Sequence, residues 1–152
     1  MENLEFRRIM SPKAKNSVTH FSCDFKFIPD FDCAIIQFHG DVRAVDFLSS
    51  IEDIEQAPGY DSSHNRLIDY RNASLMFSVV DVAAMTSWAK TKKYTYQHRK
   101  VVHIAQNDAD FGILRMLMAH SGSFSDNVLV TRSESEALAW IGLNPNASPL
   151  AI

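Results

Sequence analysis

Three side chains of this 152-residue chain can be written as a hydrolase, with Ser78 as nucleophile, His39 as base and Asp69 as the orienting acid. Such a serine is normally raised on a GxSxG elbow, and its oxyanion needs backbone donors from a glycine-rich turn. Here the flanks read Phe77-Ser78-Val79-Val80, which supplies neither. A simpler role for Ser78 is helix N-cap. Asp81, three residues on, can complete a capping box with it. A phosphate on Ser78 would also sit well there, because helix N-termini favour negative charge, so the residue is a candidate phosphoacceptor.

A second group gathers at the carboxyl ends of the expected strands, where open α/β sheets collect their ligands. His39, Asp69, Tyr70, Arg71, Asn107 and Asp108 can line one cleft there. The plainer reading gives Asp69 and Arg71 to local backbone or to each other. His103, between Val102 and Ile104, reads as a packed, hydrogen-bonded strand residue. The six histidines show no HxH or HExxH spacing, and Cys23 and Cys33 form no CxxC pair. No metal site and no cofactor is therefore expected, and the two cysteines read as free and buried. No residue set spells out a reaction, so the expectation is a protein that is not an enzyme.

The most unusual stretch runs from Lys90 to Lys100. Lys90, Lys92, Lys93, Arg99 and Lys100 interleave with Tyr94 and Tyr96. Cations for phosphate and rings for stacking suit an anionic headgroup or a single nucleic-acid strand. Against that, lysines at a helix C-terminus favour the dipole without any ligand. The net charge of −3 and pI near 6.0 make nucleic acid an improbable partner for the whole domain. Met85 and Trp88, three apart on one expected helix, are either core or a dimer contact.

The elements that must position these residues are legible in the apolar spacing. Phe21, Cys23, Phe25 and Phe27 alternate with polar residues, as in a half-buried strand. After Pro29-Asp30, residues 31–38 are almost continuously apolar, as in a strand buried on both faces. Gly40-Asp41 ends that strand, and Asp41 is expected to cap a helix carrying Val45, Phe47, Leu48, Ile51 and Ile54. Further strands are expected over 66–70, 99–105 and 127–131, with helices over 78–93, 108–120 and 133–141. The last opens on the capping box Ser133-x-x-Glu136. The order β-β-α-β-α-β-α-β-α predicts an α/β fold, a five-stranded mixed sheet whose first strand alone is antiparallel. Residues 1–17 read as an arm, 18–143 as the domain and 144–152 as a loose tail. No apolar run reaches the roughly 20 residues of a membrane span, and no signal-peptide core precedes the domain, which makes the cytoplasm the expected location.

Three stretches resemble the SpoIIAA-like (STAS-like) family of mostly bacterial proteins: Ile36-Gln37-Phe38-His39-Gly40, Leu67-Ile68-Asp69-Tyr70-Arg71 followed by Phe77-Ser78, and Ser135-Glu136-Ala137-Leu138-Ala139-Trp140-Ile141. The resemblance covers roughly 19–143. It implies sequentially wound β-α units, helices mainly on one face, and often a homodimer. It also implies a regulatory or protein-interaction module with a protein partner and no catalysis. The family's signature aspartate falls on Asp69 and its phosphoacceptor serine on Ser78, but the flanking acid and glycine of that motif are absent here. Two other functions compete. One is a carrier of a small apolar or lipid-like ligand, suggested by the family's association with lipid binders and by 10 Phe and 6 Met. The other is a weak anionic-surface binder using 90–100.

Overall fold

The structure, a computed structural model, describes residues 5–10, 21–91, 99–120, 127–146 and 150. Among these, the strands are β1 (Arg7–Met10), β2 (Phe21–Ile28), β3 (Cys33–Arg43), β4 (Asn65–Met76), β5 (Val101–Ile104) and β6 (Val128–Thr131). The helices are α1 (Ala44–Glu55), α2 (Val79–Thr91), α3 (Asp108–His120) and α4 (Glu134–Trp140). The strands form one sheet in the order β1-β2-β3-β4-β5-β6. β1, β2 and β3 pair antiparallel, and β3 to β6 run parallel. No helix among the described residues is long and apolar enough to cross a membrane.

This is the expected mixed α/β sheet with one strand more. The addition, β1, lies inside the segment read as an arm. Its sequence, Arg-Arg-Ile-Met, carries no alternation signal; cross-strand partners hold it in place. Arg8 makes a two-pronged ion pair with Asp24 at 2.7 and 3.0 Å. Arg7 lies over the rings of Phe25 and Phe27, and Ile9 joins the core. In the tail, one described residue is anchored. Leu150 is buried, and its carbonyl accepts a 3.0 Å hydrogen bond from Gln37 Nε2.

Two further expectations are corrected at the end of β3. The strand does not stop at Gly40-Asp41. A register irregularity between Gln37 and His39, and Gly40 at φ +79°, carry it on to Arg43. The cap of α1 is accordingly Arg43, whose backbone N–H donates to Asp46 Oδ2 at 3.1 Å; Asp41 has no part in it. Pro29–Phe31 forms a 3-10 turn closed by Asp32 at φ +50°. β2 and β3 then pair Cys23 with Phe38 and Ile28 with Cys33, so the two cysteines are far apart in register; both are free and buried.

Helices α1, α2 and α3 cover one face of the sheet, and α4 with Leu150 covers the other. Phe47, Ile51 and Ile54 recur at helical spacing along α1 and point into the larger core. Each such side chain contributes about 1.5–3 kcal/mol on burial. On the opposite face, Ala137 and Leu138 pack over Ile35, Leu67 and Ile104. Strand alternation therefore assigns β4 in two sets: Arg66, Ile68 and Tyr70 under the three helices, Leu67 and Asp69 on the α4 side.

Candidate ligand cavity and the polar sites around it

Arg66, Val101 and Val128 are register partners across β4, β5 and β6, and Ile68, His103 and Val130 form the next row. Above these rows lies a cavity of about 100 Å³. α1 lines it with Phe47 and Ile51, α2 with Met85 and Trp88, and α3 with Leu117 and Met118. The floor supplies Arg66, Ile68, Val101 and His103, and Arg99 enters from the residues just before β5. The walls are thus mainly apolar, with two guanidinium groups, one imidazole and the Asn127 carboxamide among the lining residues.

The two guanidinium groups are deeply placed. Arg66 is 4% and Arg99 2% exposed. Both donate to the same atom, Tyr60 Oη, at 3.2 and 3.1 Å, and Arg99 also donates to the Ser62 carbonyl at 3.3 Å. Glu55 stands 3.7 Å from Arg66. Behind them, a stack of rings runs across the sheet: Phe38 on Tyr70, then Tyr70 on His103, with centroids 5.6 and 5.7 Å apart. Tyr70 Oη lies 3.0 Å from His103 Nδ1. Burial, and then the charge of Arg66, lower the pKa of His103 to about 4. Burial also raises the Tyr70 phenol well above its usual range. Near neutral pH both are uncharged. When Tyr70 donates to Nδ1, the ring carries its proton on Nε2.

The residues singled out from sequence do not assemble into one cleft. Asp69 is held by Arg71 in a two-pronged pair at 3.0 Å each, and Arg71 reaches on to Glu134 at 3.1 Å. His39 Nε2 lies 3.1 Å from Asp24, on the β2 side. Tyr70 faces the opposite side of the sheet from Asp69. Asn107 caps α3, accepting from the Asp110 N–H and donating to the Asp110 carboxylate, both at 2.8 Å. Asp108 pairs with Arg132 at 2.6 Å. Each polar group is committed to a near neighbour, and strand alternation separates the rest.

Ser78 is the N-cap of α2. Its N–H donates to Asp81 Oδ2 at 2.8 Å, and its Oγ accepts from the Asp81 N–H at 3.1 Å. Neither His39 nor Asp69 is a hydrogen-bond partner of that Oγ. Met85 is buried and Trp88 half-buried, and both line the cavity. The buried side of α2 carries Val82, Met85 and Thr86, while Val79 and Val80 at its start are exposed. Lys92, Lys93, Tyr94 and Tyr96 lie outside the described residues. Of the remaining cations, Lys90 is exposed on the last turn of α2, Arg99 is turned into the cavity, and Lys100 Nζ sits 5.2 Å over the Trp140 ring on the other face. Arg99 and Lys100 are adjacent in sequence and therefore point to opposite sides, which removes Arg99 from any shared basic surface.

No protein-family model matches the chain, and no curated protein matches it. Among solved structures it is similar to the crystal structure of an uncharacterised protein of the DUF3478 family with a SpoIIAA-like fold, from Shewanella loihica PV-4. The TM-score is 0.51 at 12% identity, over 84% of this chain and 98% of that one. At that identity the likeness is one of architecture: the chain has a SpoIIAA-like fold.

Proposed function

We propose that the protein is a non-catalytic binding module, which holds a small, largely apolar molecule between its three-helix layer and the sheet. The observation that carries this reading is the cavity of about 100 Å³ walled by Phe47, Ile51, Met85, Trp88, Leu117 and Met118. Concave, apolar and mostly pre-formed sites with a few convergent polar groups are what small-molecule binding uses. Its non-catalytic character is supported by the occupied state of Ser78, His39 and Asp69, each bonded to a different partner.

Trp88 lines the cavity, and Trp140 is the chain's other tryptophan. In a Trp140→Phe background, titration with ring-sized probes, neutral or charged, should give a saturable change in Trp88 fluorescence. Ala89 also lines the cavity, and Ala89→Phe, which puts a ring at that position, should abolish that change while leaving the circular dichroism spectrum intact. A Trp88 signal that responds to no probe, or that survives Ala89→Phe unaltered, sinks the reading.

A second reading, a regulatory module acting through a cytoplasmic protein partner, draws on the surface around Ser78. Val79 and Val80 are 78% and 77% exposed beside it, and Met76 and Val45 are also exposed. Contiguous exposed apolar side chains mark contact surfaces. Replacing both valines with lysine should leave folding stability within about 0.5 kcal/mol. Under this reading it should also lower self-association in sedimentation experiments or capture of a partner.

A further inference from the structure

We infer that the cavity takes a small neutral molecule of about four non-hydrogen atoms with one hydrogen-bond acceptor, the chemistry of a short ketone, and that the Nε2–H of His103 is the donor that seats it. This rests on the reading of the cavity as a binding site and adds the size and polarity of what enters it.

The donor comes first. His103 lines the cavity and is 5% exposed. Its neighbour Tyr70 is 1% exposed, and among the described residues the Tyr70 hydroxyl has one hydrogen-bond partner, His103 Nδ1 at 3.0 Å. A hydroxyl buried this deeply donates, because an orphaned O–H in an apolar interior is costly. Tyr70 therefore donates to Nδ1, and the neutral ring carries its own proton on Nε2. Burial, and then the charge of Arg66, hold the ring neutral, with a pKa of about 4. No hydrogen bond among the described residues uses Nε2. Nor is that atom one of the sealed polar atoms that lie without a partner, so it opens onto free space, and the space His103 lines is the cavity. The result is a fixed, neutral N–H that faces a void and lacks an acceptor.

Size and charge define what answers it. An apolar cavity of about 150 Å³ holds the six carbons of benzene. At the same filling, about 100 Å³ holds about four non-hydrogen atoms. A ring enters only when the flexible side chains of Met85 and Met118 yield. The guanidinium groups do not call for an anion: Glu55 stands 3.7 Å from Arg66, and Tyr60 Oη accepts from both arginines. With those charges engaged and the imidazole neutral, a carboxylate brought here gives up its hydration without gaining a counter-charge of its own. A carbonyl between methyl groups meets the site on each count. Its oxygen accepts from Nε2–H, and its methyl groups lie against Phe47, Leu117 and Met118.

The test is NMR on the full-length protein of unaltered sequence, with isotope-labelled histidine and methyl groups. Acetone and isobutene are the probes, a pair of nearly equal shape that differ in the carbonyl oxygen. At neutral pH the His103 ring should show its proton on Nε2; a proton on Nδ1 instead overturns the assignment. Both probes should shift the Leu117 and Met118 methyl resonances saturably, which reports filling of the cavity. Acetone alone should move the Nε2–H resonance downfield, and its carbonyl stretch should fall in frequency when bound. Filling by acetone with Nε2–H unmoved, or still bonded to water, overturns the acceptor role and leaves the cavity reading intact. Binding of isobutene without acetone has the same consequence. Methyl resonances that respond to neither probe overturn both readings.

Discussion

Acidification should destabilise this protein through His103 well before its carboxylates titrate. The imidazole is buried in the sheet with a folded-state pKa of about 4, against an ordinary value of about 6.5 for the unfolded chain. Between those two values the unfolded chain takes up a proton and the folded chain does not. Stability therefore falls as pH drops through this window, by roughly 1.4 kcal/mol per pH unit. From about pH 6.5 to pH 5 the loss is about 2 kcal/mol. Urea denaturation across this range, in wild type and His103→Gln, isolates the contribution, because the remaining histidines are common to both. The variant forfeits the ring stack with Tyr70 and starts less stable, but its curve should be flatter by about 2 kcal/mol over the same interval. Parallel pH curves for the two proteins would show that His103 is not held neutral by its burial and by Arg66.

The remaining predictions concern capping, the edge strand and the cavity wall. Ser78→Ala should cost about 1 kcal/mol in urea denaturation through loss of the α2 cap, and amide exchange should quicken in the first turn of that helix. Arg8→Ala should release β1, seen as faster exchange at Arg7–Met10. It should also raise the Asp24 pKa, since Arg8 is the leading cause of its depression. The stabilisation from Asp24 is present above the ordinary carboxylate range and is lost as pH falls toward its lowered value, so the variant should give up less stability on strong acidification. Met85→Ala should cost about 2–5 kcal/mol of stability, because it removes a buried wall and enlarges the existing void.

Much of the framework could be read from residue spacing. Alternation through Phe21, Cys23, Phe25 and Phe27 marked β2, and Phe47, Ile51 and Ile54 marked the inner stripe of α1. Signals of this kind are local: side-chain period depends on backbone geometry, and capping needs only residues three apart. For the same reason the Ser78–Asp81 and Ser133–Glu136 caps and the Asp69–Arg71 pair were visible beforehand. Arg66 also carried a usable signal. It shares alternation parity with Ile68 and Tyr70, which places it under the helices, an unusual position for an arginine at the start of a strand.

Tertiary structure alone decided where the site would be. The carboxyl ends of the strands, the ordinary place to look, hold locally paired charges. The cavity lies where β4, β5 and β6 begin. Its polar groups Arg66, Arg99 and His103 come from neighbouring β4 and the residues in and just before β5, with Tyr60 Oη accepting from both guanidinium groups, and no sequence period reports such convergence. The strand status of Arg7–Met10 and the burial of Leu150 were likewise settled by partners distant in the chain, Asp24 and Gln37. Periodicity states which side of an element is apolar. Which end of the layer leaves room for a ligand depends on how three helices of fixed shape fill the sheet beneath them, and only the packed molecule expresses that.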